Sequence, residues 1–240
     1  MIGIILAAGN GTRLKESLKE DCCKALKKVN GTHLIEFALN NLIEVEVDKA
    51  VLVVGKEQDL IKSIIDNEYK GLKITYVYQV EQLGLVNALI QALDYAESDD
   101  IVLQLADEIF IGFRAEYIKT LLKSIDCAFY CGVTYESDCE KIKANYSVET
   151  DEAMFVKSST EKPDKVTNNL KGTGFCIFNK SAISLLKQKY NYEENIPNNL
   201  CDFMNLLTDN KMKGKAFHLA EKEFNINTAD DLREATKFLS

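Results

Sequence analysis

The chain has 240 residues, 46% of them hydrophobic and 28% charged, with 37 acidic residues against 29 basic ones and a net charge of −8. That length can bury a sizeable core and the composition is that of an ordinary soluble protein, while the acidity argues against non-specific nucleic-acid binding, which needs a basic stripe. The apolar runs fall far short of the roughly 20 residues that a membrane span requires. In chain order, the opening MIGIILAAG lacks the basic leader and long apolar core of a signal peptide and reads as a first strand, Ile2–Leu6. LAAGNGTRL, residues 6 to 14, follows, and it admits two readings. It is either a tight turn between a strand and a helix or a cradle for phosphates. A dinucleotide turn reads GxGxxG, and Leu14 stands where its third glycine would be; the Gly-Lys-Ser/Thr end of a Walker loop is absent as well. What remains is Gly9 and Gly11, which let backbone N–H groups converge on an anion, then the Thr12 hydroxyl and the Arg13 fork.

Next comes CCKALKKVNGTHLIEFAL, a lysine-containing loop, a glycine turn and an amphipathic helix over residues 33–45. LAAGxGTRL followed by such a loop resembles the sugar-1-phosphate nucleotidylyltransferases. The resemblance implies that Leu6, Ala7, Ala8, Gly9, Gly11 and Thr12 bind the nucleotide, with Arg13 and Lys24 as the catalytic pair that neutralises its triphosphate. Taken alone, Lys24 reads equally as one solvated charge among Lys19, Lys27 and Lys28. The family usually has proline just before this lysine, and here the residue is Cys23, which loosens the loop in principle.

Strands at Ala50–Val54, Lys73–Tyr78 and Ile101–Leu105 alternate with helices at 58–66 and 85–96. Alternating β and α elements imply a mostly parallel sheet with helices on both faces and ligands beyond the carboxyl ends of the strands. VYQVEQLGLVNALIQA, residues 77 to 92, resembles the family's base-reading segment, so Gln79 would read the base edge and Gly84 would let backbone approach it. As plain structure it is a strand end and a helix start. LQLADEIF resembles the strand ending L-x-G-D, with Ala106 in place of the glycine; on that resemblance Asp107 holds Mg²⁺, while a bare reading makes it a turn or cap residue.

Past residue 126 the pattern changes to closely spaced strand-like stretches, AFYCGVTY, YSVET, AMFV and GFCIF, which read as an inserted antiparallel or mixed section covering the open side of the first half. STEKPDK resembles the family's Glu-Lys-Pro stretch, which assigns Glu161 to acceptor hydroxyls and Lys162 to the acceptor phosphate; Gly174 in GTGFCIF would allow close approach of the ring. Helices follow at Lys180–Lys189 and Leu200–Thr208, with AFHLA strand-like between them and the last helix, Ala229–Phe238. EFNINTADDL resembles the closing motif, in which Asn225 would complete the metal site, and Thr228 caps the last helix.

The seven cysteines are odd in number and contain no CxxC, and only two histidines are present, so the thiols read as structural and the compartment as reducing and cytoplasmic. The expectation is a single α/β nucleotidyltransferase domain over residues 1–240, doubly wound and Rossmann-like with a mostly parallel mixed sheet. Residues 1–125 form its nucleotide-binding half and residues 126–240 its acceptor-binding half. The resemblance implies an Mg²⁺-dependent reaction of a nucleoside triphosphate with a sugar 1-phosphate, giving an NDP-sugar and pyrophosphate. Its partners would be small molecules, with no nucleic acid and no membrane, and the chain is free to form a homo-oligomer. A cytidylyltransferase acting on phosphocholine or another small alkyl phosphate is the alternative, because the chain ends soon after the last motif. A non-catalytic nucleotide-sensing subunit is the further one.

Overall fold

The computed structural model describes residues 1–96, 99–191 and 197–240. Its first half runs β1 (Ile2–Ala7), α1 (Thr12–Leu18), a hairpin of β2 (Lys28–Val29) and β3 (Thr32–His33), α2 (Leu34–Glu44), β4 (Lys49–Val54) and α3 (Gln58–Ile65). It continues through β5 (Glu68–Tyr69), β6 (Leu72–Tyr78), α4 (Leu85–Ala92), β7 (Ile101–Leu105), β8 (Glu108–Ile111) and α5 (Ala115–Lys123). The second half holds β9 (Phe129–Tyr135), α6 (Cys139–Lys143), β10 (Tyr146–Thr150), β11 (Val156–Glu161), β12 (Leu170–Phe178) and α7 (Lys180–Asn191). It closes with α8 (Leu200–Asp209), β13 (Gly214–His218), β14 (Lys222–Asn225) and α9 (Ala229–Leu239).

The main sheet has the order β11-β10-β12-β7-β1-β4-β6-β5, with β9 branching from β12 and β13 pairing with β9. β1 lies parallel to both β4 and β7, and β4 is parallel to β6, as right-handed βα crossovers require. The side chains of β1, β4 and β7 alternate between two buried faces. Ile4, Val51 and Val53 join one core with Leu89 of α4, Leu186 of α7 and Phe203 of α8. Ile5, Leu52 and Val54 join the other with Leu39 of α2, Ile61 of α3 and Ile118 of α5. Both faces of β1, β4 and β7 are covered, which is why these three read as largely apolar runs, whereas β6 alternates buried and exposed residues. Each such aliphatic side chain contributes about 1.5–3 kcal/mol by leaving water.

The second half is joined to this sheet through β12, which runs antiparallel to β7 on one side and β9 on the other. The section is mixed, since β13 pairs with β9 in parallel. Three sequence expectations shift. The strand expected at AMFV starts only at Val156, because Asp151 accepts hydrogen bonds from the N–H groups of Ala153 and Phe155 and makes a turn there. The helix expected to Ala96 ends at Ala92. A two-stranded antiparallel sheet, β8 with β14, lies outside the main sheet and was not foreseen. Among the described residues no helix is long and apolar enough to cross a membrane.

Candidate active site

The carboxyl ends of β1, β6 and β7 open onto a cavity of about 480 Å³, lined among others by Leu6, Ala7, Ala8, Gly9, Gly11, Thr12 and Arg13. Lys24, Gln79, Gly84 and Asp107 line it too. The structure thus brings together every residue assigned to the nucleotide, the catalytic pair and one of the two assigned to metal. Gly11 sits in the left-handed region at φ 62° and starts α1, and an added Cβ would meet Lys24 Cβ at 2.9 Å. The glycine is therefore required twice, by its φ and by the lysine packed beneath the loop. Lys24 opens a turn of 3₁₀ helix entered through Cys23, and Ala106 holds the loop end of β7 by donating its N–H to the Leu6 carbonyl at 3.2 Å.

The charged groups meet at one point. Lys24 Nζ forms an ion pair with Asp107, and both side chains are largely shielded from water. Asn227 Oδ1 accepts hydrogen bonds from Arg13 Nη2 at 2.9 Å and from Lys24 Nζ at 3.1 Å. It is Asn227, not Asn225, that lines the cavity. Asn225 lies one step behind, its Oδ1 accepting from Asn227 Nδ2 at 2.7 Å. Backbone geometry seats Asn227 there: Ile226 N–H donates to the Asp107 carbonyl, and Asn227 N–H donates to Asp231, which also takes part in the Thr228 cap of α9.

Gln79 is buried, its amide nitrogen donating to Asn87 Oδ1 at 3.3 Å from the rim of α4. Gly84 has φ 98°, and an added Cβ would meet Asn198 Oδ1 at 2.1 Å, so the close approach it permits here is that of Asn198. The Asn198 carbonyl accepts the first N–H groups of α4, from Leu85 and Val86. Sequence reasoning passed over Gln82, which lines the same cavity, donates to the Ala8 carbonyl and accepts from Asn10. It ties the base-side segment to the glycine loop.

The residues assigned to the acceptor lie outside this cavity's lining. Glu161 ends β11, and burial pushes its carboxyl above the ordinary range while Lys162 opposes the shift. Lys162 takes a left-handed φ of 45°, its Nζ is 3.8 Å from Glu161, and its N–H donates to the Asn145 carbonyl at 2.7 Å. Gly174 donates its N–H to both oxygens of Glu108, at 2.9 and 2.8 Å, and its missing side chain makes room for Leu105 of the cavity wall. Glu108 belongs to a fully buried charge cluster that was also not foreseen: Lys171 Nζ stands 3.1 Å from Glu223, and burial pushes both carboxyls upward.

Two oxygen donors, the Asp107 carboxylate and the Asn227 carbonyl, face the cavity, a hard set that suits a cation such as Mg²⁺ carrying waters and phosphate oxygens. Among the described residues no three His, Cys, Asp or Glu gather into a cluster able to hold a metal by themselves.

A model of the family described as "Nucleotidyl transferase" matches residues 2–240. The UTP–glucose-1-phosphate uridylyltransferase AglF of Haloferax volcanii is 33% identical over 179 residues, covering 74% of this chain and 72% of that one. The D-glycero-α-D-manno-heptose 1-phosphate guanylyltransferase of Campylobacter jejuni is 27% identical over 201 residues, covering 83% and 86%. Other curated relatives are longer, and the match spans about half of their length. Among solved structures, UDP-glucose pyrophosphorylase complexed with UDP-glucose superposes with a TM-score of 0.83 over 99% of this chain and 97% of that one, at 18% identity, a likeness of fold.

Proposed function

The chain belongs to the nucleotidyl transferase family, and from that premise we propose that it joins a nucleoside triphosphate to a sugar 1-phosphate, giving an NDP-sugar and pyrophosphate. The observation that carries this reading is the convergence of Arg13, Lys24, Asp107 and Asn227 at the mouth of a glycine loop. The likeness to AglF makes UTP with glucose 1-phosphate the first pair to test. An oxygen of the acceptor phosphate attacks the α-phosphorus, the bond to the bridging oxygen breaks, and pyrophosphate leaves. A phosphate monoester with a second pKa of about 6 is already ionised near neutral pH, so no side chain has to remove a proton.

The work left to the protein is positioning and charge. Arg13 and Lys24 lie where negative charge builds on the triphosphate, and they stabilise it most when the departing pyrophosphate carries the extra charge. Asp107 and Asn227 would hold Mg²⁺, which supplies charge neutralisation at the phosphate oxygens when bound. Gln79 reads the base, and Glu161, Lys162 and Gly174 serve the acceptor. Residues 1–125 thus take the nucleotide and residues 126–240 the acceptor, apart from Asn227, which reaches back across the division.

Pyrophosphate release with Mg²⁺, measured over a grid of nucleoside triphosphates and acceptors including glucose 1-phosphate and phosphocholine, tests this directly. Turnover with a sugar 1-phosphate is the expected result. Turnover only with CTP and phosphocholine would replace it by the alkyl-phosphate reaction, and nucleotide binding without turnover on any acceptor would replace it by nucleotide sensing.

A further inference from the structure

Three asparagines form one continuous line of hydrogen bonds behind the cation-facing residue. Asn227 Nδ2 donates to Asn225 Oδ1 at 2.7 Å, Asn225 Nδ2 donates to Asn145 Oδ1 at 2.8 Å, and Asn145 Nδ2 donates to the Lys141 carbonyl at 2.9 Å. An amide side chain offers an oxygen on one end and an N–H₂ on the other, so its orientation depends on its neighbours. Here both ends of the line are groups of fixed sense. The Lys141 carbonyl, near the end of α6, can only accept; Lys24 and Arg13 can only donate. Between them every amide must point the same way, and reversing any one sets oxygen against oxygen or N–H against N–H.

We propose that Asn225 and Asn145 are positioning residues that hold Asn227 with its carbonyl oxygen, rather than its N–H₂, turned into the nucleotide cavity. The orientation matters because a neutral amide binds a cation, or accepts from Lys24, only through that oxygen. Asn145 also holds the acceptor side, since its backbone carbonyl accepts the N–H of Lys162 in its left-handed turn. One residue therefore sets both the sense of the relay and the placement of the acceptor lysine. This inference rests on the reading that Asn227 contributes to the cation site.

The test is Mn²⁺ binding to the nucleotide-free protein, followed by electron paramagnetic resonance, with melting temperature recorded for each variant. Asn227→Ala provides the reference loss. Asn225→Leu, close in size but without hydrogen bonds, is expected to bind Mn²⁺ about tenfold more weakly. Asn145→Leu is expected to weaken it in the same direction from two amides away. Asn145→Asp keeps the acceptor that Asn225 needs but gives up the donor to the Lys141 carbonyl, and it is expected to lose clearly less Mn²⁺ binding than Asn145→Leu. Wild-type binding by Asn225→Leu beside a loss in Asn227→Ala would overturn the relay and leave the cation site standing. Equal losses in Asn145→Asp and Asn145→Leu would overturn it too, since the acceptor that position 145 offers Asn225 would then contribute nothing. Wild-type binding by Asn227→Ala would overturn the cation-site reading and the relay with it.

Discussion

Lys24 is the residue on which the site's contacts converge: it pairs with Asp107, donates to Asn227 and supports Gly11 from below. Removing its charge while keeping its stem separates electrostatics from packing. Lys24→Met is expected to lower kcat by about 10²–10³-fold, the usual cost of losing one fixed donor to transition-state charge. Its melting temperature should stay near that of the wild type, because the methylene stem still fills the space under the loop. Steady-state kinetics together with a thermal melt checks both halves of the statement, and unchanged turnover would remove Lys24 from the triphosphate clamp. Choosing between Asn225 and Asn227 illustrates what a sequence withholds at this scale. The two residues flank Ile226, which is fully buried, so both occupy the same parity in an extended stretch. Period-two patterning cannot separate them. Only the distant placement of Arg13 and Lys24, more than 200 positions earlier in the chain, decides which of them reaches the cavity.

Among elements, β1, β4, β6 and β7 were legible to within a residue at each end, because β1, β4 and β7, buried on both faces, read as short apolar runs and β6 alternates buried with exposed residues. Helix α1 was not legible: of its seven residues only Leu14 is buried, too little for any periodicity. β8 and β14 escaped for a different reason. Each is four residues long and their pairing joins segments about a hundred positions apart, which no local pattern records. The glycine loop between β1 and α1 was legible as a motif, and the structure adds why its second glycine is needed. Gly11→Ala would place a methyl 2.9 Å from Lys24 Cβ and put alanine at φ 62°, which costs roughly 1–2 kcal/mol in backbone energy alone. The loop borders the cavity rather than the core, so the strain is expected to be relieved by moving Lys24. The measurable result is a fall in kcat/KM for the nucleotide larger than the change in melting temperature accounts for. A variant that loses stability while kcat/KM holds would show the loop to be scaffold only.

For the whole molecule, the question is what fastens the small β8–β14 sheet, which carries Asp107 and Asn227 at its edges, to the main sheet that carries everything else. Part of the answer is a compact apolar cluster, with Phe224 and Ile226 packed against Ile109, Leu34 and Ala235. The other part is ionic. Lys171, on β12 of the main sheet, stands 3.1 Å from Glu223 on β14, and the two side chains are 4% and 0% exposed. Charges so deeply buried are costly to desolvate, and their attraction repays that cost only while both partners are present. Lys171→Met would leave Glu223 buried without its cation, next to Glu108, whose carboxyl burial already pushes upward. We expect a destabilisation of about 3–5 kcal/mol, read as a lowered midpoint in urea unfolding. Lys171→Met combined with Glu223→Leu removes both charges together and is expected to recover most of that loss, because well-packed apolar replacements of a buried pair are often neutral or stabilising. If the double variant is as unstable as Lys171→Met alone, the pair is not what joins the two sheets, and the apolar cluster must carry the junction. If recovery is seen but turnover is not restored, the pair also sets the angle at which β14 presents Asn227 to Lys24. That outcome would tie the most buried charges in the fold to the cavity where Lys24 and Asp107 meet.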